Sequence, residues 1–145
     1  MSVPLGWESW RLGRDAWSQA HPVPVPPTAD ETRAQELEKS VRSVLNDLGS
    51  LPSGSVDPQT LKQVTDAHQT QLEALAESRG ADARSLGAGS PSPGGPATTR
   101  AHVRAGQRAL ASAAEDAALH ADASGYATLF AAVAAGSREL MGVLT

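Results

Sequence analysis

Apolar residues recur at helical spacing in four stretches of this chain, and segments rich in Gly, Pro and Ser separate the stretches. In the first stretch, Leu37 is followed by apolar residues 4, 7, 8 and 11 positions later, all on one face of an α-helix. The four stripes consist of Leu37, Val41, Val44, Leu45 and Leu48; then Leu61, Val64, His68, Leu72 and Leu75; then Val103, Leu110, Ala113, Ala114 and Ala117; and finally Tyr126, Leu129, Phe130, Val133, Leu140, Met141 and Leu144. A helix with one apolar face must bury that face against other elements. The pattern therefore predicts an all-α fold, with a four-helix bundle over residues 28–145.

Capping residues mark the ends of the predicted helices. Residues 28–31 form a capping box, in which the Thr28 hydroxyl accepts a hydrogen bond from the amide three residues later while Glu31 reaches back. Gly49 is a helix stop. The pair Asp57-Pro58 supplies an N-cap followed by proline at the first helical position. The helix that begins there should end before Gly80, and the last two helices should span about 99–121 and about 125–144.

The connections between the helices predict how they are arranged. Residues 122–125 form a short turn, so the third and fourth helices should be antiparallel neighbours. Residues 80–96 are mostly Gly, Ser, Pro and Ala without periodicity, which is typical of a long flexible crossover. Two antiparallel hairpins joined by a long crossover form the ferritin-like arrangement of a four-helix bundle.

Residues 1–27 form a Trp-containing N-terminal strap. Trp7, Trp10 and Trp17 would share one face of a helix, and the Pro-rich stretch 21–27 must be extended because each proline restricts its own backbone and that of its predecessor. Two interpretations are open. The tryptophans dock on the bundle and bury their large aromatic area, or they rest at a membrane interface beside Arg11 and Arg14.

Charge and composition exclude several classes of protein. The net charge is −4 with acidic and basic residues interspersed, so no electrostatic argument for nucleic-acid binding exists. The absence of cysteine excludes disulfides, thiolate metal sites and cysteine nucleophiles. No stretch approaches the roughly 20 apolar residues of a membrane-spanning helix. The first residues also lack the apolar core of a signal peptide, which predicts a cytoplasmic location if the chain is complete as given.

Histidine is the residue type that most suggests a functional site. His68 lies at the centre of the second apolar stripe, so its ring should point into the bundle. There it would serve as a ligand or proton carrier, or it would be a neutral imidazole satisfied by a core hydrogen bond. His102 and His120 are five turns apart on the third helix, roughly 27 Å by helical rise, so they cannot share one ion. Solvated surface positions are expected for both.

The signatures of catalytic helix bundles are missing from the sequence. Di-iron bundles use Glu from two helices and Glu-x-x-His from two more, and no Glu-x-x-His occurs here. Four glutamates lie away from the apolar stripes: Glu73, Glu77, Glu115 and Glu139. Neither a nucleophile elbow nor a phosphate-binding loop is present. The sequence predicts a protein that is not an enzyme and that uses no cofactor or metal.

Two segments resemble a family of small ferritin-like domains of unknown function from GC-rich bacteria, often exported or lipid-anchored. They are residues 65–75, TDAHQTQLEAL, and residues 129–140, LFAAVAAGSREL; the similarity covers about residues 28–144. The family's His-x-x-His motif is incomplete, because His68 matches its first position and Gln71 stands at the second. A histidine often seen in the family's last helix corresponds to Leu140 here. The resemblance implies a ferritin-like fold and a lipoprotein or other envelope protein, and it implies no reaction.

These observations predict a non-enzymatic helical-bundle protein with a binding or structural role, extracytoplasmic or membrane-anchored if the resemblance holds. One alternative is a metal-dependent bundle centred on His68, and another is a partner-binding module that acts through the strap. Self-association into a homodimer and membrane association through a lipid anchor that the given chain lacks stay open. The candidate ligand or partner contacts are His68, Gln71, Trp7, Trp10 and Trp17.

Overall fold

The computed structural model describes residues 27–80 and 98–144. Four α-helices account for nearly all of them: α1 is Ala29–Gly49, α2 is Pro58–Ser78, α3 is Arg100–His120 and α4 is Ser124–Val143. These two ranges contain no β-strand. The predicted all-α, four-helix fold is confirmed, and the helix ends lie within one residue of the expected positions. Nearly all of the predicted strap, its three tryptophans included, and nearly all of the predicted crossover lie outside the described residues.

Each helix packs against two neighbours. α1 lies beside α2 and α3, and α4 also lies beside both, so α2 and α3 are on one diagonal of the bundle. The start of α1 meets the end of α3, because Asp30 accepts a hydrogen bond from the Asp122 amide. The Tyr126 hydroxyl, near the start of α4, donates to the Ser78 carbonyl at the end of α2, 2.8 Å away. Every neighbouring pair is therefore antiparallel, including the α3–α4 pair that the short turn predicts.

The connection from α2 to α3 starts and ends at opposite ends of the bundle. Gly80 follows the end of α2, which lies beside the start of α4. At the other end, the Thr98 amide donates to the Ser50 carbonyl at 3.1 Å, which places the start of α3 beside the end of α1. A 21-residue helix is about 31 Å long at 1.5 Å per residue. Gly80 and Thr98 therefore lie at opposite ends of the bundle, and α2 and α3 run parallel.

The predicted helix caps are present where the helices begin. The Thr28 and Asp57 side chains accept hydrogen bonds from the amides of Glu31 and Thr60, at 3.1 and 3.2 Å. The N-cap of α4, Ala123, has no side-chain acceptor of its own. Asp30 supplies one from α1, since its carboxylate accepts from the amides of Asp122 at 3.0 Å and Ala123 at 2.9 Å. A buried carboxylate at the positive end of a helix is favoured both as an acceptor and as a charge.

The core runs the length of the bundle and is built mainly from Leu and Val of α1 and α2, from Val103, Leu110 and alanines of α3, and from Phe130, Val133, Ala134 and Leu140 of α4. The predicted stripes are buried or half-buried with one exception. Ala113 is exposed, and Ala111 is buried in its place. Residues 110 and 114 lie at the centre of the buried face, and a step of one residue turns the helix by 100°, which carries position 113 away from the core.

None of the four described helices combines the length and apolarity that crossing a lipid bilayer requires.

Val133→Asp should destabilise the protein by at least about 3 kcal/mol, because it places an unpaired charge in the core. Val133 is buried in α4, whereas the neighbouring Ala132 is exposed. Ala132→Asp is the matched control and should cost less than about 1 kcal/mol. Urea denaturation followed by far-UV circular dichroism measures both. Equal stability of the two variants would contradict the assignment of the buried face of α4.

Asp30→Ala should lower the free energy of unfolding by about 1–3 kcal/mol, because two amides at the start of α4 lose their acceptor. Asp30→Asn keeps one acceptor oxygen and should have an intermediate stability. Asp116→Ala removes an exposed carboxylate from α3 and serves as the control. Thermal melts of the three variants would show no such ranking if the Asp30 carboxylate did not cap α4.

Candidate functional site

A cluster of polar side chains interrupts the apolar core, and we call it the polar layer. It consists of His68 and Gln71 from α2, Gln107 from α3 and Ser137 from α4. His68, Gln107 and Ser137 have no exposed surface, and Gln71 is half-buried. The three fully buried side chains have no access to solvent, so their hydrogen bonds must come from within the protein.

Both ring nitrogens of His68 are hydrogen-bonded to amide side chains. Nδ1 lies 2.8 Å from Gln71 Oε1, and Nε2 lies 3.0 Å from Gln107 Nε2. Gln107 reaches His68 across the diagonal of the bundle, from a helix that does not pack beside α2. The polar layer is therefore a direct link between the two parallel helices.

The position of the ring proton follows from the partners of Gln71. Its Nε2 donates to the Val133 carbonyl at 3.5 Å and to Ser137 Oγ at 3.4 Å, both on α4. With the nitrogen turned towards α4, Oε1 faces His68 and can only accept, so Nδ1 holds the proton. Nε2 is then the acceptor for the Gln107 amide. His68 is the neutral Nδ1–H tautomer in this arrangement.

Burial lowers the pKa of His68 below its ordinary value of 6.5, and the hydrogen bond to Gln71 opposes this effect in part. The cause is the cost of placing a charged imidazolium in a medium that solvates it poorly. Both partners of the ring are uncharged amides, which do not ionise near neutral pH. The polar layer thus holds a neutral histidine without a proton relay attached to it.

Gly136 makes room for the Gln71 amide on α4. A Cβ atom at this position would lie 3.1 Å from Gln71 Nε2, closer than an ordinary contact. A glycine inside a helix costs stability relative to alanine. The close approach of Gln71 to α4 explains why a glycine occupies position 136.

A second buried polar group is an ion pair between α1 and the end of α2. The Glu38 carboxylate is almost completely buried, and Arg79 donates to both of its oxygens, from Nη2 to Oε1 at 3.0 Å and from Nε to Oε2. This bidentate contact raises the pKa of Arg79 above its ordinary value. Removing either partner would leave a poorly solvated charge, so the pair fixes the end of α2 against α1.

The structure places the predicted candidate residues in three different settings. His68 points into the core, as its stripe predicts, and Gln71 lies beside it. His102 and His120 are at the surface, with side chains 62% and 63% exposed. The four glutamates predicted to face away from the core are exposed: Glu73, Glu77, Glu115 and Glu139. Trp7, Trp10 and Trp17 lie outside the described residues.

Sequence reasoning missed Gln107, Ser137 and Glu38. Each has a signal in the sequence: Gln107 falls between Val103 and Leu110 at helical spacing, and Ser137 falls in the same way between Val133 and Leu140. A polar residue at a position that continues an apolar stripe indicates a buried hydrogen bond. Glu38 directly follows the buried Leu37 and lies on the edge of its stripe.

Within residues 27–80 and 98–144, no group of three or more His, Asp and Glu side chains is placed to hold a metal ion. The residue nearest to such a role is His68, and its two neighbours are amides, which are weak ligands for the metals that imidazole prefers.

Comparison of the chain with models of known protein families, with curated proteins and with solved structures gives no match. The arguments about function therefore depend on the residues themselves.

Gly136→Ala should lack the stabilisation that the same change gives at Gly106. A Cβ at Gly106 would make only ordinary contacts, the nearest being 3.5 Å to Val44 Cγ2, so Gly106→Ala should gain about 0.5–1 kcal/mol. Gly136→Ala must displace Gln71 and should be no more stable than the parent. Urea denaturation measures the difference, and the Gln71 side-chain amide resonances report the displacement. Equal gains at both sites would mean that α4 does not need the glycine.

Proposed function

We propose that this chain is a non-enzymatic helical-bundle protein with a binding or structural role. The observation that supports this most is the state of His68. Its ring is the most chemically versatile buried group in the described part of the chain, and both of its nitrogens are bonded to amides of the same protein. A general base or a nucleophile-activating histidine needs a free nitrogen facing a substrate.

We further propose that the bundle is ferritin-like. In support, α1 and α2 form one antiparallel hairpin, α3 and α4 form another, and the connection between the hairpins joins opposite ends of the bundle. α2 and α3 consequently run parallel on one diagonal. Bundles with one long crossover of this kind are the ferritin-like class.

An envelope location and a partner-binding strap complete the proposal. The location follows from the resemblance of residues 65–75 and 129–140 to exported and lipid-anchored domains. Pro27 precedes α1 at the end of the bundle where Asp30 meets Asp122. The 26 residues before it contain all three tryptophans, which are the residues by which the strap would bind a partner or a membrane surface.

A metal-dependent bundle centred on His68 is the alternative function. The burial of His68 at the centre of the core favours it. Against it stand the two amide partners of the ring and the absence of a neighbouring carboxylate among the hydrogen bonds of the polar layer.

Metal analysis separates the two functions. The full chain, purified without chelators and then equilibrated with Zn²⁺, Mn²⁺ or Fe²⁺, should retain well below about one equivalent after gel filtration. His68→Gln is the matched variant, and its metal content should equal that of the parent. About one equivalent of tightly held metal that disappears in His68→Gln would establish the alternative. Metal that both proteins retain equally would come from sites other than the polar layer.

A further inference from the structure

The Oε1 atom of Gln107 is buried and has no hydrogen-bond partner. The same side chain uses its nitrogen to bond His68 Nε2, and the whole residue has no exposed surface. An unsatisfied buried acceptor costs free energy, so its presence in a folded protein calls for an explanation. The other polar atom of the same amide, Nε2, faces His68.

We propose that His68, Gln71 and Gln107 form a buried proton-binding site in which rotation of the Gln107 amide accommodates the charged ring. In the neutral state Gln107 Nε2 donates to the ring. Turning the amide by half a turn exchanges its nitrogen and oxygen, and Oε1 then accepts from a protonated Nε2. The proton comes from solvent and adds to the Nε2 lone pair, and no covalent bond breaks.

The imidazolium would have an acceptor on each side. Gln71 Oε1 already accepts from Nδ1, and its orientation is fixed by the bonds of Gln71 Nε2 to Val133 and Ser137 on α4. Gln107 has no comparable partner on its oxygen, so it is the amide that is free to turn. Two amide oxygens thus solvate the charge in place of water.

Charged groups on the surrounding helices do not compensate the positive charge of a protonated His68 ring. From α1, the buried carboxylates are Asp30, Glu31 and Glu38, and Glu38 is paired with Arg79 at the end of α2. On α3 the nearest helical neighbour of Gln107 with a charge is the half-buried Arg104, and the buried residues of α4 include no charged group. The main cause of the lowered His68 pKa is burial, with the Gln71 hydrogen bond opposing it, and neither cause is a charged side chain.

The sign of the resulting pH dependence follows from the lowered pKa of His68 in the folded protein. Above pH 6.5 the ring is neutral in both the folded and the unfolded chain, and the full stability is present. As the pH falls below 6.5, the unfolded chain takes up the proton first, so stability decreases. Below the folded pKa both states are protonated, and this contribution levels off. That plateau requires a folded state that accepts the proton, which is the role of Gln107.

The test follows His68 by long-range ¹H–¹⁵N NMR of the ring during acid titration of the full chain. Gln107→Met removes the acceptor, and Gln107→Glu replaces the amide with a carboxylate of the same shape. His102→Asn removes a surface histidine and is the control. In the parent protein, His68 should titrate reversibly below pH 6.5 with Nδ1 protonated throughout. The side-chain amide resonances of Gln107 should shift with the same midpoint.

The variants should move the midpoint in opposite directions. Gln107→Met should lower it by about one pH unit or more, and Gln107→Glu should raise it by a similar amount because an opposite charge faces the ring. His102→Asn should leave it unchanged. The proposal is overturned if the parent unfolds before His68 titrates, or if the midpoint is the same in the parent and in every Gln107 variant that folds.

Discussion

A histidine without access to water must find both of its hydrogen-bond partners inside the protein, and the arrangement of this bundle depends on how His68 does so. One partner comes from its own helix and the other from the diagonal helix α3. That first partner, Gln71, is itself held by α4, because its Nε2 donates to the backbone carbonyl of Val133. Three of the four helices are thereby joined at one level. A shift of any of them along its axis by one turn would leave buried polar atoms unpaired, at a cost that apolar packing does not impose.

This constraint matters because the rest of the core is permissive. Leu, Val and Ala faces can pack in more than one register, and buried polar residues are a recognised means of selecting one register. One end of the bundle repeats the principle: the Asp30 carboxylate caps α4 from α1, and the Glu38–Arg79 pair holds the end of α2 to α1.

The helices and their caps could be predicted from the sequence because both are local. Apolar spacing and the Thr28 and Asp57 caps require only neighbouring residues, and the inward position of His68 follows from the same spacing. The partners of His68 could not be predicted, because they depend on the register between helices. Gln107 lies 39 residues from His68, and Arg79 lies 41 from Glu38. The prediction that Ala113 faces the core was wrong for a related reason. In a helix rich in alanine, apolarity alone does not distinguish the inner face from its edge.

The identity of the residue at position 71 decides what the polar layer can do. Two imidazoles at positions 68 and 71 would lie one turn apart and could share a ligand. Gln71 instead presents an oxygen to His68 and its nitrogen to α4, with Gly136 providing the space. An amide in this orientation fixes the tautomer of the ring and leaves Nε2 as its one basic atom. In the proposed proton-binding site, Nε2 is the atom that gains the proton, and the unpaired oxygen of Gln107 is placed to accept from it.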